Sequence, residues 1–238
     1  MEKRYQCIPQ EMLKLIACIT MLIDHFGAAI VPFLTVPYMV PLYYICRIIG
    51  RIAFPIYCFL LVEGMHHTRN PGKYIGRLTI GILLAELPFD ILFEGGISWE
   101  YQSVMVTLTL GAIMLLCMQK TEKKIWKCLL ILPVALLAEL LKCDYGGWGI
   151  VMIAVFALLE SFPLQCLGVL FVAAAIPSAK ISVFGIMLSC KLAAVPAMFP
   201  IALYNGKKLS RSKALQWCFY AFYPIHLLVL WFILSAIR

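Results

Sequence analysis

The chain has 238 residues, 63% of them hydrophobic and only 13% charged, with a mean hydropathy of +0.93, which excludes a water-soluble globular domain. A hydrocarbon core about 30 Å thick takes roughly 20 apolar residues per helical crossing, and many runs here approach that length. The net charge of +8 is scattered through short breaks between these runs, which fits membrane topology and contact with anionic lipid and excludes nucleic acid as a partner.

No run alternates as an outer-membrane barrel strand does, and an open sheet would leave backbone groups unpaired in lipid. The expected fold class is therefore all-α: a polytopic bundle of about nine transmembrane helices forming a single domain over residues 1–238. The first span, 12–33, follows Lys3 and Arg4. It is too long for a signal peptide and lacks a small-x-small cleavage site, so it reads as a retained helix. It also carries Asp24 and His25 in a run otherwise suited to lipid.

The second span, 43–65, has Arg47 and Arg51 four residues apart, hence on one face, and Glu63 near its end. "EGMHHTRNPGKY" follows, with "RNPG" read as a turn before Lys73. The third span, 74–93, places Glu86 and Asp90 one turn apart. Spans at 103–118, 125–141, 147–160, 163–177, 182–204 and 215–236 complete the series. Glu139 and Asp144 flank the end of the fifth, and His226 lies midway along the ninth, two residues after Pro224. The proline leaves a helical carbonyl without its donor near His226. "CDYGGWGI" (143–150) sets an acid, two aromatics and three glycines at a helix mouth, either as a tight turn or as a place where backbone approaches a ligand.

Basic residues supply an independent check. Clusters occur at Lys3, Arg4 and Lys14; at Arg69, Lys73 and Arg77; at Lys120, Lys123, Lys124 and Lys127; and at Lys207, Lys208, Arg211 and Lys213. With a cytoplasmic N-terminus, nine spans put all four on the cytoplasmic side and leave Glu94, Glu100, Lys142 and Lys180 outside.

Ionisable residues inside a membrane face the bundle interior and mark functional sites by default. The bland alternative for the charged ones is a set of struts, Arg47 or Arg51 pairing with Glu86 or Asp90. His25 stands out because an acid precedes it and a second intramembrane histidine, His226, lies far along the chain. Adjacent helical residues point about 100° apart, so Asp24 can serve another helix instead of His25. The ten cysteines are scattered singly with no C-x-x-C pair, and indicate neither a disulfide framework nor a metal site.

Several stretches together resemble the TraX family of membrane proteins: "LKLIACITMLIDHFGA" (13–28), "RIIGRIAFPIYCFLLVEGMHHTRN" (47–70), "KYIGRLTIGILLAELPFDILF" (73–93), "DYGGWGI" (144–150), "YNGKK" (204–208) and "FYAFYPIHLLVLW" (219–231). They occur in family order and span nearly the whole chain. One departure falls in "QSVMVTL" (102–108), where Ser103 stands near the place of an expected asparagine. The family is associated with acetylation of a pilin N-terminus in conjugation. It is more distantly similar to the acyltransferase family-3 proteins and the heparan-glucosaminide acetyltransferases, which use cytoplasmic acyl-CoA. Family-3 proteins carry an arginine ten intervening residues before a first-helix histidine; here Lys14 holds that place before His25.

The resemblance implies a multi-pass protein of the bacterial inner membrane that takes acetyl-CoA as acyl donor, without a metal, and passes the acyl group to an unknown amine or hydroxyl. His25, Asp24 and His226 are then the expected catalytic group. Lys14, Arg47, Arg51, Glu63, Asp144, Tyr145 and Tyr223 are the expected substrate- and donor-binding residues. The rival expectation is a proton-coupled transporter or flippase using the same buried charges as a relay, although no internal symmetry of the kind many transporters show is present.

Overall fold

A computed structural model describes residues 6–176, 180–183, 186–210 and 212–238. Lys3, Arg4 and Arg211 of the basic clusters, and the last residue of the seventh predicted span, lie outside the described residues. The architecture is helical. Among the described residues three runs are long and apolar enough to cross a membrane: Gln10–Phe33, Met39–His67 and Ala214–Ile237. The chain divides into two compact units, residues 1–57 with 169–238, and residues 58–168.

In the first unit, α1 (Gln10–Ala29) starts after Pro9 and runs on into a 3-10 turn at Val31–Phe33. The second predicted span is two helices, α2 (Met39–Gly50) and the start of α3 (Ala53–His67). The break follows from Pro55, which cannot donate to the carbonyl of Arg51 and whose ring crowds it. α1 packs on α2 at very short range: a Cβ added to Gly27 would strike Cys46, and one added to Gly50 would strike the Asp24 carboxylate. α11 (Lys213–Ile237) begins at Ser212, whose side chain accepts from the Leu215 N–H, and continues through Pro224. It runs parallel to α1. Lys14 lies over the Phe219 ring, His25 meets His226, and Arg238 lies over the Phe33 ring.

The eighth predicted span, 182–204, of which residues 184 and 185 lie outside the described residues, is not one continuous helix. It holds the antiparallel pair β1 (Lys180–Val183) and β2 (Ile186–Ser189), a 3-10 stretch Cys190–Ala197, and the short α10 (Met198–Ala202). "KISVFGIMLS" is rich in β-branched and aromatic residues about a glycine, and Pro196 and Pro200 each remove a helical donor, so apolarity alone misread the segment.

The second unit holds the rest of α3, α4 (Pro71–Phe93), α5 (Val104–Gln119), α6 (Lys124–Leu129), α7 (Ile131–Leu140), α8 (Gly146–Leu158) and most of α9 (Phe162–Ala175). "RNPG" starts a helix as well as ending one: Asn70 Oδ1 accepts from Lys73 N–H at 2.9 Å and Pro71 takes the first helical position, which needs no donor. α4 has 23 residues, but Lys73, Arg77, Glu86 and Asp90 make it more charged than the three spans above. The fifth predicted span, 125–141, is also broken in two, because Pro133 cannot serve the carbonyl of Leu129. α4 packs on α5, and α8 packs on both α5 and α7.

This unit is electrically polarised along its helices. The Gln119 side chain donates to the Met65 carbonyl, so the ends of α5 and α3 meet where His66, His67, Arg69, Lys73 and Lys120 collect. At the opposite end, Ser103 meets Glu86 and Tyr101 meets Asp144, near Asp90, Glu94, Glu100 and Glu139. Lys142 also lies at this second end and Glu63 at the first, so most, not all, of the unit's lysines and arginines gather at one end.

Candidate functional site

The site develops on α1, where successive residues point to different neighbours. Asp24 faces α2: its Oδ2 is 2.6 Å from Arg47 Nη1, and its Oδ1 is 3.5 Å from Arg51 Nη2. Gly50 makes this approach possible by presenting no side chain to the carboxylate. The struts expected between these arginines and Glu86 or Asp90 thus take another form, because four-residue spacing aims both guanidinium groups at one acid on α1. Glu86 instead accepts from Ser103, at 2.5 Å from its hydroxyl and 3.2 Å from its N–H, and Asp90 accepts from the Ser98 N–H at 3.1 Å.

His25 faces α11. Its Nδ1 lies 2.7 Å from His226 Nε2, and His226 Nδ1 lies 2.8 Å from the carbonyl of Phe222. The ring planes differ by 6° with centroids 5.0 Å apart. With two nitrogens so much closer than the centroids, the rings lie edge to edge in one plane instead of face to face. The carbonyl acceptor orders the protons. A carbonyl can only accept, so His226 Nδ1 carries hydrogen; in a neutral ring its Nε2 then accepts, and His25 Nδ1 donates to it. Neutral His25 therefore keeps its lone pair on Nε2. The carbonyl used is Phe222's, one turn before His226, and not Tyr220's, the one that Pro224 leaves without its donor.

His226 is buried and His25 only partly so. Tyr223 is buried edge-on to both, with centroids 6.1 Å from His25 and 5.4 Å from His226. The charges of Arg47 and Arg51 are close enough to act on His25. Lys14 lies on the same side of α1, three turns toward its start, with Nζ 5.3 Å from the Phe219 ring centre and Glu11 within electrostatic reach. The first unit thus gathers seven of the expected site residues: Lys14, Asp24, His25, Arg47, Arg51, Tyr223 and His226.

The other three belong to the second unit, where each has a local task. Glu63 pairs with His67 one turn on, at 3.7 Å. Asp144 Oδ1 accepts from the Tyr101 hydroxyl at 2.8 Å and the Tyr145 N–H at 2.9 Å, while Tyr145 itself takes a left-handed conformation (φ 63°). "CDYGGWGI" is thus a tight turn into α8, whose Gly147 N–H is satisfied by the Glu139 carboxylate at 2.8 Å.

Sequence reasoning missed Tyr57, whose hydroxyl is 3.3 Å from Cys18 Sγ, and the role of Phe222, and it marked Ser103 as a departure from the family pattern without assigning it to Glu86. Phe222 had a signal in its place one helical turn before His226.

These features define a helical membrane protein whose first and last long helices join a hydrogen-bonded histidine pair beside a buried two-arginine, one-acid cluster. The chain belongs to the TraX family, whose family model, TraX protein, matches residues 9–234. It is 29% identical over 239 residues to a probable fimbrial assembly protein FimC, serogroup H1, of Dichelobacter nodosus, covering 92% of each chain. It is 48% identical over 102 residues to an uncharacterized protein of Rickettsia prowazekii (strain Madrid E), covering 43% of this chain and 34% of that protein. No solved structure matches.

Proposed function

We propose that this protein is a membrane-embedded acyltransferase that moves acetyl from acetyl-CoA to an amine or hydroxyl acceptor. The observation that carries this reading is the ordered chain from the Phe222 carbonyl through His226 to His25, which keeps the His25 lone pair on Nε2. The fimbrial name of the Dichelobacter relative supports a pilin-like protein as one acceptor. The protein lies in a bacterial inner membrane with its N-terminus cytoplasmic, the orientation that its basic clusters favour.

His25 Nε2 takes the proton as the acceptor nitrogen or oxygen attacks the thioester carbonyl. The tetrahedral intermediate collapses with cleavage of the C–S bond, and the coenzyme A thiolate leaves with the proton now on His25. Meanwhile the His25 Nδ1–H stays bonded to His226, which holds the ring in one tautomer and one plane. The Asp24 carboxylate fixes Arg47 and Arg51, whose positive charge stabilises the oxyanion of the intermediate.

The test is turnover of acetyl-CoA by the purified protein with a peptide or amine acceptor. A His25→Ala variant that keeps full activity would falsify the assignment. Proton-coupled solute uptake in proteoliposomes with no acyl transfer would establish the transporter reading instead.

A further inference from the structure

The first unit also builds a basic platform at the start of α1. Residues 7–11 and 203–210 are zipped together by backbone bonds: Ile8 N–H to Leu203 O at 2.9 Å, Asn205 N–H to Ile8 O at 3.0 Å, and Gln10 N–H to Lys207 O at 2.9 Å. The Glu11 carboxylate accepts from the Leu209 N–H at 2.7 Å and the Ser210 N–H at 3.4 Å. Gly206 takes the left-handed turn (φ 71°) that brings the chain round, and the Asn205 side chain accepts from the Lys207 N–H at 2.9 Å. This scaffold leaves Lys207 and Lys208 exposed and holds Lys208 close enough to repel Lys14. Lys14 thus lies within electrostatic reach of both Glu11 and Lys208, Lys207 is the adjacent exposed residue, and the Glu11 carboxylate is already engaged by two backbone donors.

We infer that Lys207 and Lys208, with Lys14, dock the phosphates of the acyl donor; this rests on the acyltransferase reading and adds where the donor binds. Like charges held together on a rigid scaffold are relieved by a polyanion, and the 3′-phosphate and pyrophosphate of coenzyme A supply one. Length selects this occupant. Lys14 and His25 are eleven residues apart on one helix, about 16 Å at 1.5 Å per residue. The arm from pyrophosphate to sulfur is a pantoate, β-alanine and cysteamine chain with a reach of about 16 Å, that of roughly five extended residues. Phosphates on the platform therefore put the thioester at His25. The neighbouring stretch of α11 is not covered by protein along this path: none of residues 214–222 is buried, and burial begins at Tyr223, level with the histidine pair.

A phosphate-bearing lipid headgroup offers the same chemistry, so the experiment separates the two sources. Full-length Lys207→Gln/Lys208→Gln protein in neutral phosphatidylcholine nanodiscs is compared with wild type for acetyl-CoA and for acetyl-N-acetylcysteamine, a thioester without phosphates. The expected result is a KM for acetyl-CoA raised about tenfold with kcat within twofold, loss of the preference for acetyl-CoA over the short thioester, and recovery in the double arginine variant. An unchanged KM overturns the inference, as does a defect that appears only when anionic lipid is added. Should wild type turn over neither thioester, the acyltransferase reading fails by itself, and equilibrium binding of coenzyme A decides the docking site. Tenfold weaker binding by the variant supports docking, and equal binding overturns it.

Discussion

His25 and His226 stand 201 residues apart in the chain and share a 2.7 Å hydrogen bond in one common plane. This bond ties the first long helix to the last, and the Phe222 carbonyl gives it a direction. Replacing His226 by Ala removes that acceptor from the His25 Nδ1–H and weakens the hold on its ring. We expect kcat for acetyl transfer to fall about 10- to 100-fold with little change in acceptor KM, whereas His226→Asn, whose carbonyl can still accept, retains more activity. Steady-state kinetics on the two variants checks this.

The Asp24 carboxylate lies between two guanidinium groups, one of them on the buried Arg51. Removing its charge in Asp24→Asn takes away both of these ion pairs. The expected loss is about 3 kcal/mol of stability, seen as a lower unfolding midpoint in detergent. The double change Asp24→Asn with Arg47→Gln should recover part of it.

Glycine substitutions separate packing from backbone entropy. Gly50→Ala pushes a methyl into the Asp24 carboxylate and forces α1 and α2 apart, at a cost of about 1–3 kcal/mol. Gly76 on α4 has open space around the same added atom, so Gly76→Ala should stabilise by about 0.5–1 kcal/mol. Thermal unfolding of the two variants, one shifted down and the other up, is the measurement.

Ser103 donates to Glu86 through both its hydroxyl and its N–H. Ser103→Ala removes the hydroxyl donor from a half-buried acid and should cost about 1–3 kcal/mol. Ser103→Asn, the residue type expected here from the family pattern, offers an amide donor and should cost less. An unfolding midpoint unchanged in Ser103→Ala would mean that the hydroxyl bond contributes nothing.

Gly146 combines a left-handed backbone (φ 48°) with close contact to the Glu139 carboxylate that caps α8. Gly146→Ala should destabilise by more than about 1 kcal/mol. Trypsin should then cleave faster after Lys142, in the exposed turn that the glycine shapes.

Much was legible in residue order alone. Apolar runs and short polar breaks identify a helical membrane protein, because lipid offers no partner for an unpaired backbone group. The ordered motifs from "LIDHFGA" to "YPIHLL" point to the family, which the match over residues 9–234 establishes. Helix interruptions were visible in principle at Pro55 and Pro133, each of which removes one donor four residues after a carbonyl. Hydropathy averaging hid them, as it hid the strand-forming residues of "KISV" and "IMLS".

What the sequence by itself determined was which residues are costly in a membrane, and hence that Asp24, His25, Arg47, Arg51 and His226 need partners. The tertiary structure decided who those partners are. A helical period says which residues share a face, but not which helix that face meets or how closely. The absence of a side chain at Gly50 admits Asp24 to Arg47 and Arg51, and the parallel course of α11 carries His226 to His25. The adjacent acid and imidazole thus serve different helices, because neighbouring side chains on a helix diverge by about 100°.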